Sequence, residues 1–532
     1  MGRSTGFLTW IRTRGWSAVP LKPQLGCTYT YALHGVQAHV IQVEANIGAG
    51  LPGMYMVGMG DTAVRESRDR IKTAAVYHQL PWPKTKITIN LSPAGLPKSG
   101  AHLDLAILLA VLTAKADDPD VHERLRSTLI VGEVGLDGSV RRAQGVLPAI
   151  HAAWKAGFHT ILIPAENAHK AALLPDSGIY VVESVKEAFQ WALTGVQLHT
   201  AVDYAQAHPH YEPAPQYPDF ADLAGQPHGR RVAEIAAAGG HHLMMIGPPG
   251  SGKSMVAARI PGILPELNPE ETIECTTIHS VAGKTTRPVR HAPFVAPHHS
   301  ISPAALIGGG NRPTPGAVSL AHRGVLFIDE ASEMPARILN TLRTPLEQGA
   351  ISLVRSHREV TFPARFQLIL AANPCPCGNP DPRYCTCTPT KRMNYLDNIA
   401  EPIRDRIDIV THIDSQGAVI HDDGAESSAT IAARVADARD RALFRWRKAH
   451  KATMTNATID SRTLRRDYPA TEDAMLVLST YLAQGDLTQR GVDRTLRVAW
   501  TLADLAHADV PTVEEVMQAM DLHGPYAEVA AA

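Results

Sequence analysis

Eleven residues restrict the possible folds of this chain more than any others: MMIGPPGSGKS, from Met244 to Ser254, followed at once by MVAARI. An apolar run, a glycine-rich turn of the form Gly-x4-Gly-Lys-Ser and a helical pattern, in that order, build a cradle for phosphate. Glycine lets the loop Gly247, Pro248, Pro249, Gly250, Ser251, Gly252 curl so that its backbone N–H groups face an anion at a helix N-terminus. Lys253 is then placed to reach the β- and γ-phosphates, and Ser254 to ligate Mg²⁺. The expected cofactors are therefore ATP and Mg²⁺. A merely flexible turn would need neither the strand before it nor the lysine and helix after it.

Such a cradle needs a carboxylate at the end of a neighbouring strand. GVLFIDE supplies Asp329 after four apolar residues, with Glu330 beside it. Asp329 suits Mg²⁺, through water, and Glu330 suits polarising the attacking water. A third apolar run, FQLILAAN, ends on Asn373, where a polar side chain would touch the γ-phosphate or that water. HLMMIG, GVLFIDE and FQLILAAN read as buried parallel strands of a doubly wound sheet. IGGGNRPTPG does not fit the dinucleotide pattern, because Pro313 stands where its last glycine belongs, and it reads as a loop.

At 532 residues the chain exceeds one typical core, and two to four units are expected. An α/β or α+β domain spans 26–195, after a tail at 1–25. A proline-rich extended connection covers 196–222, and the α/β ATPase domain covers 223–413. A polar linker follows at 414–428, a compact helical domain at 429–525, and a short tail at 526–532. No apolar run approaches the ~20 residues of a membrane span, and the first twenty residues contain no signal-peptide core. A cytoplasmic protein is expected. With a net charge of −1, any contact with nucleic acid must be local.

Four of the six cysteines crowd into thirteen residues as Cys375-x-Cys377 and Cys385-x-Cys387. Four thiolates so spaced suit one tetrahedral Zn²⁺, structural because no coordination position is left open. Two disulfides or four unliganded thiols are the alternatives.

The run APHHSISPAALIGGGNRPTPGAVSLAHRGVLFIDE, then NPCPCG and DRIDI, resembles the magnesium-chelatase-like AAA+ ATPases of the YifB/ComM family over about residues 26 to 525. The fold implied is α/β: an AAA+ P-loop module with a helical lid, preceded by a Lon-protease-like (ribosomal-protein-S5-like) α+β domain. The activity implied is that of a bacterial, hexameric ATPase and helicase that drives DNA branch migration during recombination of incoming DNA, with recombination proteins as further partners. The resemblance makes Arg406 of DRID an arginine finger for the neighbouring subunit. It makes Arg490 of LTQRGVDRTLRVA a sensor that contacts the nucleotide of its own chain, while Arg494 and Arg497 read as an exposed helix face. GAISLVRSHREVTFPARF resembles a pore hairpin, with Arg355, His357 and Arg358 contacting DNA phosphates. In the Lon-like part, PKSGAH puts His102 where such peptidases carry serine, and Leu147 falls at the lysine position. Ser99, three residues upstream, reads as a cap or turn closer. No peptidase is expected.

Two other functions compete. A subunit remodelling a metal chelatase would call for a partner with a metal-dependent adhesion site, which this chain does not itself supply. A protein unfoldase would call for an aromatic pore loop, and the polar SHR tip suits phosphate better.

Overall fold

The structure is a computed structural model and describes residues 25–58, 62–174, 178–209, 215–285, 287–310, 313–355, 358–379, 384–413, 424–451 and 455–523. The chain divides into two compact units, residues 1–210 and 211–532.

The first unit is built on one mixed sheet. Its strands are β1 (Leu25–His34), β2 (Gln37–Gly48), β3 (Gly53–Val57), β4 (Lys86–Ser92), β5 (Thr128–Ile130), β8 (Thr160–Pro164) and β9 (Ile179–Val182). A small ribbon of β6 (Glu133–Val134) and β7 (Val140–Arg141) stands apart. The sheet order is β3-β4-β2-β1-β5-β8-β9, antiparallel at β1/β2 and β2/β4 and parallel elsewhere. Alternation in KITINLS buries Ile87, Ile89 and Leu91 on one face of β4, as a half-covered strand requires. The helix Asp104–Thr113 is apolar all round and buried all round. It lies so close to β1 that a Cβ on Gly26 would come within 1.9 Å of the Ala110 carbonyl oxygen, which only glycine permits. Its one charge, Asp104, accepts from Arg70 Nε at 3.0 Å and from the Ser67 hydroxyl.

Residues 196–222, expected as an extended connection, hold a helix at Ala201–Ala207. Thr200 caps it through the backbone N–H of Asp203, and a bridge between Tyr180 and Thr200 ties its start to β9.

The second unit has a five-stranded, wholly parallel sheet ordered β11-β14-β17-β10-β18. These strands are β10 (Leu243–Ile246), β11 (Phe294–Val295), β14 (Val325–Ile328), β17 (Gln367–Ala372) and β18 (Ile409–His412). Two ribbons project from it, β12 (Gly308–Gly309) with β13 (Thr314–Pro315), and β15 (Ala350–Arg355) with β16 (Arg358–Pro363). IGGGNRPTPG, expected as a loop, therefore contributes a short paired ribbon.

Strict alternation divides the sheet between two cores. Leu243, Met245, Val325, Phe327, Ile369 and Ala371 face one side; Met244, Ile246, Leu326, Ile328, Leu368 and Leu370 face the other. The helices after Ser427, expected as a domain of their own, share the first of these cores. Val435, Ala442 and Trp446 of the helix Ser428–Lys448, and Leu496 and Trp500 of the helix Gln489–Leu505, pack there with the helix Pro227–Gly239. Helical periodicity marked these segments correctly as amphipathic. Its apolar stripe, however, is the same whether it faces other helices or a sheet.

Candidate ATP site and its surroundings

The ends of three adjacent strands converge on the loop Gly247–Gly252. Gly247 leaves β10 with its N–H donated to Ala372 O at 3.1 Å, and a Cβ there would sit 2.1 Å from the Ile413 carbonyl oxygen. Gly252, at φ 87°, turns the chain into the helix Lys253–Arg259. Lys253 is buried and donates to Gly247 O (2.7 Å), Pro248 O (2.8 Å) and Asn373 Oδ1 (3.3 Å). Burial pushes its ammonium below the ordinary lysine range, and the nearby Asp329 carboxylate opposes that shift. Ser254 donates its hydroxyl to Asp329 Oδ2 at 2.7 Å. A hydroxyl and a carboxylate oxygen so placed are hard donors of the kind Mg²⁺ takes, and the loop N–H groups and Lys253 suit a triphosphate. The residues present thus fit ATP and Mg²⁺.

Glu330 follows Asp329 with φ 49°, in the left-handed region, and its carboxylate Oε2 lies 3.2 Å from His299 Nδ1. His299 carries no expected role. The only sequence signal for it was the histidine pair of APHHSISP, about thirty positions upstream of Glu330.

Arg406 and Arg490 are elsewhere. In the register that pairs Leu243 with Ile409 and Ile246 with His412, β10 and β18 run side by side in the same direction. The phosphate loop leaves one end of β10, and Asp405 and Arg406 precede the opposite end of β18, a strand of about 13 Å away. Arg406 pairs with Glu347 and donates to Pro402 O. Arg490 donates to Asp405 Oδ2 at 2.7 Å and is otherwise exposed. A cavity of about 870 Å³ at this edge is lined by Asp405 and Arg406 with Gly240, His242, Gly324 and Gln367, the residues that lead into β10, β14 and β17. Arg490 is thus paired with Asp405, before the start of β18, rather than with a residue of the phosphate loop. The helix carrying it packs against the helices Pro227–Gly239 and Ser428–Lys448, and its first turn brings Arg490 to Asp405. Arg494 and Arg497, expected on an exposed face, are half-buried and donate to Arg404 O (3.4 Å) and Ile459 O (3.1 Å).

Family models for magnesium chelatase match in three blocks. These are Subunit ChlI of Mg-chelatase over residues 43–167, Magnesium chelatase, subunit ChlI over 219–419, and its C-terminal part over 425–523. An uncharacterised protein of Mycobacterium tuberculosis is 44% identical over 502 residues, 93% of this chain and 98% of its own. YifB of Escherichia coli, itself uncharacterised, is 38% identical over 507 residues (93% and 96%). The competence protein ComM of Haemophilus influenzae is 35% identical over 486 residues (90% and 94%). The chain belongs to the YifB/ComM magnesium-chelatase-like family. It is an AAA+ ATPase by that membership.

A partial likeness, 28% over 138 residues, joins this YifB/ComM protein to the Lon protease of Haemophilus influenzae, covering 25% of the chain and 16% of that protease. His102 is buried, stacks on Tyr31 with centroids 4.3 Å apart, and bonds the Tyr31 carbonyl at 2.9 Å. Leu147 is buried too. Neither offers an accessible nucleophile or base. Ser99 does not cap the short turn after it, whose N-cap is Gly100 without a side-chain bond.

In the family's NPCPCG loop the four sulfurs of Cys375, Cys377, Cys385 and Cys387 all lie within 4.8 Å of one another. Pairwise separations include 3.1, 3.5 and 3.6 Å. A tetrahedral thiolate site with metal–sulfur bonds of about 2.3 Å needs sulfurs about 3.8 Å apart, so the set fits a metal ion. All four are free thiols rather than disulfides. The Asn379 N–H draws the Cys377 thiol down to about 6, while burial pushes Cys375 up to about 12. Across this loop a Cβ on Gly378 would lie 3.3 Å from Pro249 Cγ of the phosphate loop. In the hairpin β15–β16, Arg355 is registered opposite Arg358, and His357 lies outside the described residues.

ATP hydrolysis is expected to vanish in Lys253→Ala and in Glu330→Gln, with only the second still binding nucleotide, because it leaves the cradle intact. Turnover assays paired with binding of a fluorescent ATP analogue check this; parental turnover in Glu330→Gln would remove Glu330 from the chemistry.

Proposed function

We propose that this protein is an ATP-driven DNA translocase that works as a ring of copies, a hexamer, and drives branch migration during homologous recombination of incoming DNA. The position of Arg406 across the sheet from its own phosphate loop supports this most directly. An arginine there has no ATP in its own chain to act on, whereas a neighbouring copy in a ring presents its loop to that edge. Arg490, beside Asp405 on the same edge, then serves the neighbour's γ-phosphate together with Arg406. A similar arginine supplied across a boundary contributes three to five orders of magnitude to turnover in other nucleotide hydrolases.

DNA enters through the hairpin. A polar turn carrying Arg355, His357 and Arg358 between two paired strands suits phosphate groups lining a central channel in a chain whose net charge is only −1. That a 35% identical relative is named a competence protein agrees with a role on incoming DNA, where recombination proteins would be its partners. The cysteine cluster holds one structural Zn²⁺, which braces the loop between Asn373 and the phosphate cradle.

Arg406→Ala should be inactive alone and regain part of its ATPase when mixed with Lys253→Ala, since a mixed boundary can join an intact cradle to an intact arginine. No recovery at any mixing ratio would refute a shared site. Replacing Arg355, His357 and Arg358 together with alanine should leave ATPase without DNA near the parental rate. Stimulation by forked DNA and branch migration of a four-way junction should fall together, and the salt dependence of DNA binding should flatten by about one counterion per lost contact. Unchanged affinity, salt slope and branch migration would take DNA off this hairpin. Metal analysis of freshly reduced protein should find about one zinc per chain, absent after joint replacement of Cys375 and Cys377 by serine, with a lower melting temperature.

A further inference from the structure

The cysteine loop touches the ATP cradle and is folded back on itself. Asn373 Oδ1 accepts from Lys253 Nζ at 3.3 Å, and a Cβ on Gly378 would meet Pro249 Cγ of the phosphate loop at 3.3 Å. Gly378, at φ 63°, donates its N–H to Cys375 O at 3.3 Å and so closes a turn that carries Cys375 and Cys377. Asn379 Nδ2 donates to Tyr384 O at 3.1 Å, which ties the arm bearing Cys385 to the arm bearing Cys377. The sulfurs of those two residues lie 3.6 Å apart.

The thiols differ in access. Cys377 is exposed, Cys375 is buried, and Cys385 and Cys387 are half-buried; Cys27 and Cys275, far along the sequence, are buried as well. A soluble oxidant therefore reaches Cys377 first, and a second thiol already stands within attacking distance. Sulfurs in a disulfide are about 2.0 Å apart, against about 3.8 Å around a tetrahedral thiolate-bound Zn²⁺. A bond between Cys377 and Cys385 thus shortens their separation by roughly 1.6 Å and leaves two thiolates where a closed site needs four. The turn that moves carries the Gly378 contact to Pro249, and through Pro374 it adjoins Asn373.

We propose that Cys377 is a site of reversible oxidation by hydroperoxides, and that the Cys377–Cys385 disulfide it leads to shuts down the ATP site. The Cys377 sulfur takes one oxygen as the O–O bond breaks and becomes a sulfenic acid; its proton goes to the departing oxygen, which leaves as water or an alcohol. The Cys385 sulfur then attacks Cys377, the S–S bond forms, and the hydroxyl leaves with the Cys385 proton as water. Two thiols lose two electrons, and the peroxide gains them. Release of a metal ion in this step rests on the zinc reading above; the disulfide does not. Displacing groups of an ATP site by about 1 Å is enough to lower turnover by up to a hundredfold.

The test treats reduced full-length protein with hydrogen peroxide, removes the excess with catalase, and follows free thiols, released zinc, the disulfide-linked peptides and steady-state ATPase without DNA. Two thiols per chain should disappear, one peptide pair should join Cys377 to Cys385, about one zinc per chain should be released, and ATPase should fall at least tenfold. Dithiothreitol with added Zn²⁺ should restore it. Cys377→Ser, whatever its starting rate, should lose less than half of that rate to the same treatment. A disulfide that forms with ATPase unchanged overturns the proposal, as does a tenfold loss without that disulfide, a loss that dithiothreitol does not reverse, or an equal loss in Cys377→Ser. Should the reduced protein hold no zinc while the disulfide still forms and reversibly stops ATPase, the oxidation site stands and the zinc reading falls; zinc that stays bound, with its thiols intact under peroxide, leaves the zinc reading and overturns the oxidation site.

Discussion

Everything at the ATP site depends on β10 being bonded along both edges. It pairs with β17 on one side and β18 on the other, four registered residues each. Those two ladders place the phosphate loop beside Asn373 on one flank and beside the Ile413 carbonyl on the other, so close to Ile413 that Gly247 admits no side chain. Because all five strands run the same way, every functional strand end falls on one edge, as ligands in open parallel sheets require. Asp329 arrives there one strand further out, through the pairing of β14 with β17.

The same parallel order explains why Arg406 and the phosphate loop lie apart within the chain. A residue that precedes a strand and one that follows a strand stand at opposite edges, and Arg406 precedes β18. The pairing of Arg490 with Asp405 brings a second arginine to that far edge from a helix more than eighty residues later. Arg406 lines the cavity of about 870 Å³ at that edge together with Asp405, the partner of Arg490.

The cysteine loop adds a mechanical link to this arrangement. Cys375 lies two residues after Asn373, whose Oδ1 accepts from Lys253, and Gly378 rests against Pro249. Four sulfurs gathered around one ion would stiffen the segment that holds both contacts, without touching the reacting atoms. That suits a closed site better than a catalytic one.

Local patterns determined a good deal of this protein. Strand, glycine loop, lysine and helix are contiguous, so the phosphate cradle and its hydroxyl were legible in eleven residues; Asp329, Glu330 and Asn373 were legible because each ends an uninterrupted apolar run. The cysteine cluster was legible because its ligands lie within thirteen positions. What tertiary structure alone decided is which distant segments share an edge. The helices after Ser427 have the same apolar stripe whether they form a separate body or join another core, and only the tertiary structure shows Leu496 and Trp500 in one cluster with Met245 and Phe327. That packing carries Arg490 to Asp405 and away from the phosphate loop. His299 meets Glu330 for the same reason: hydrogen bonds between β11 and β14 join two stretches of chain whose separation along the sequence carries no trace of their proximity in space.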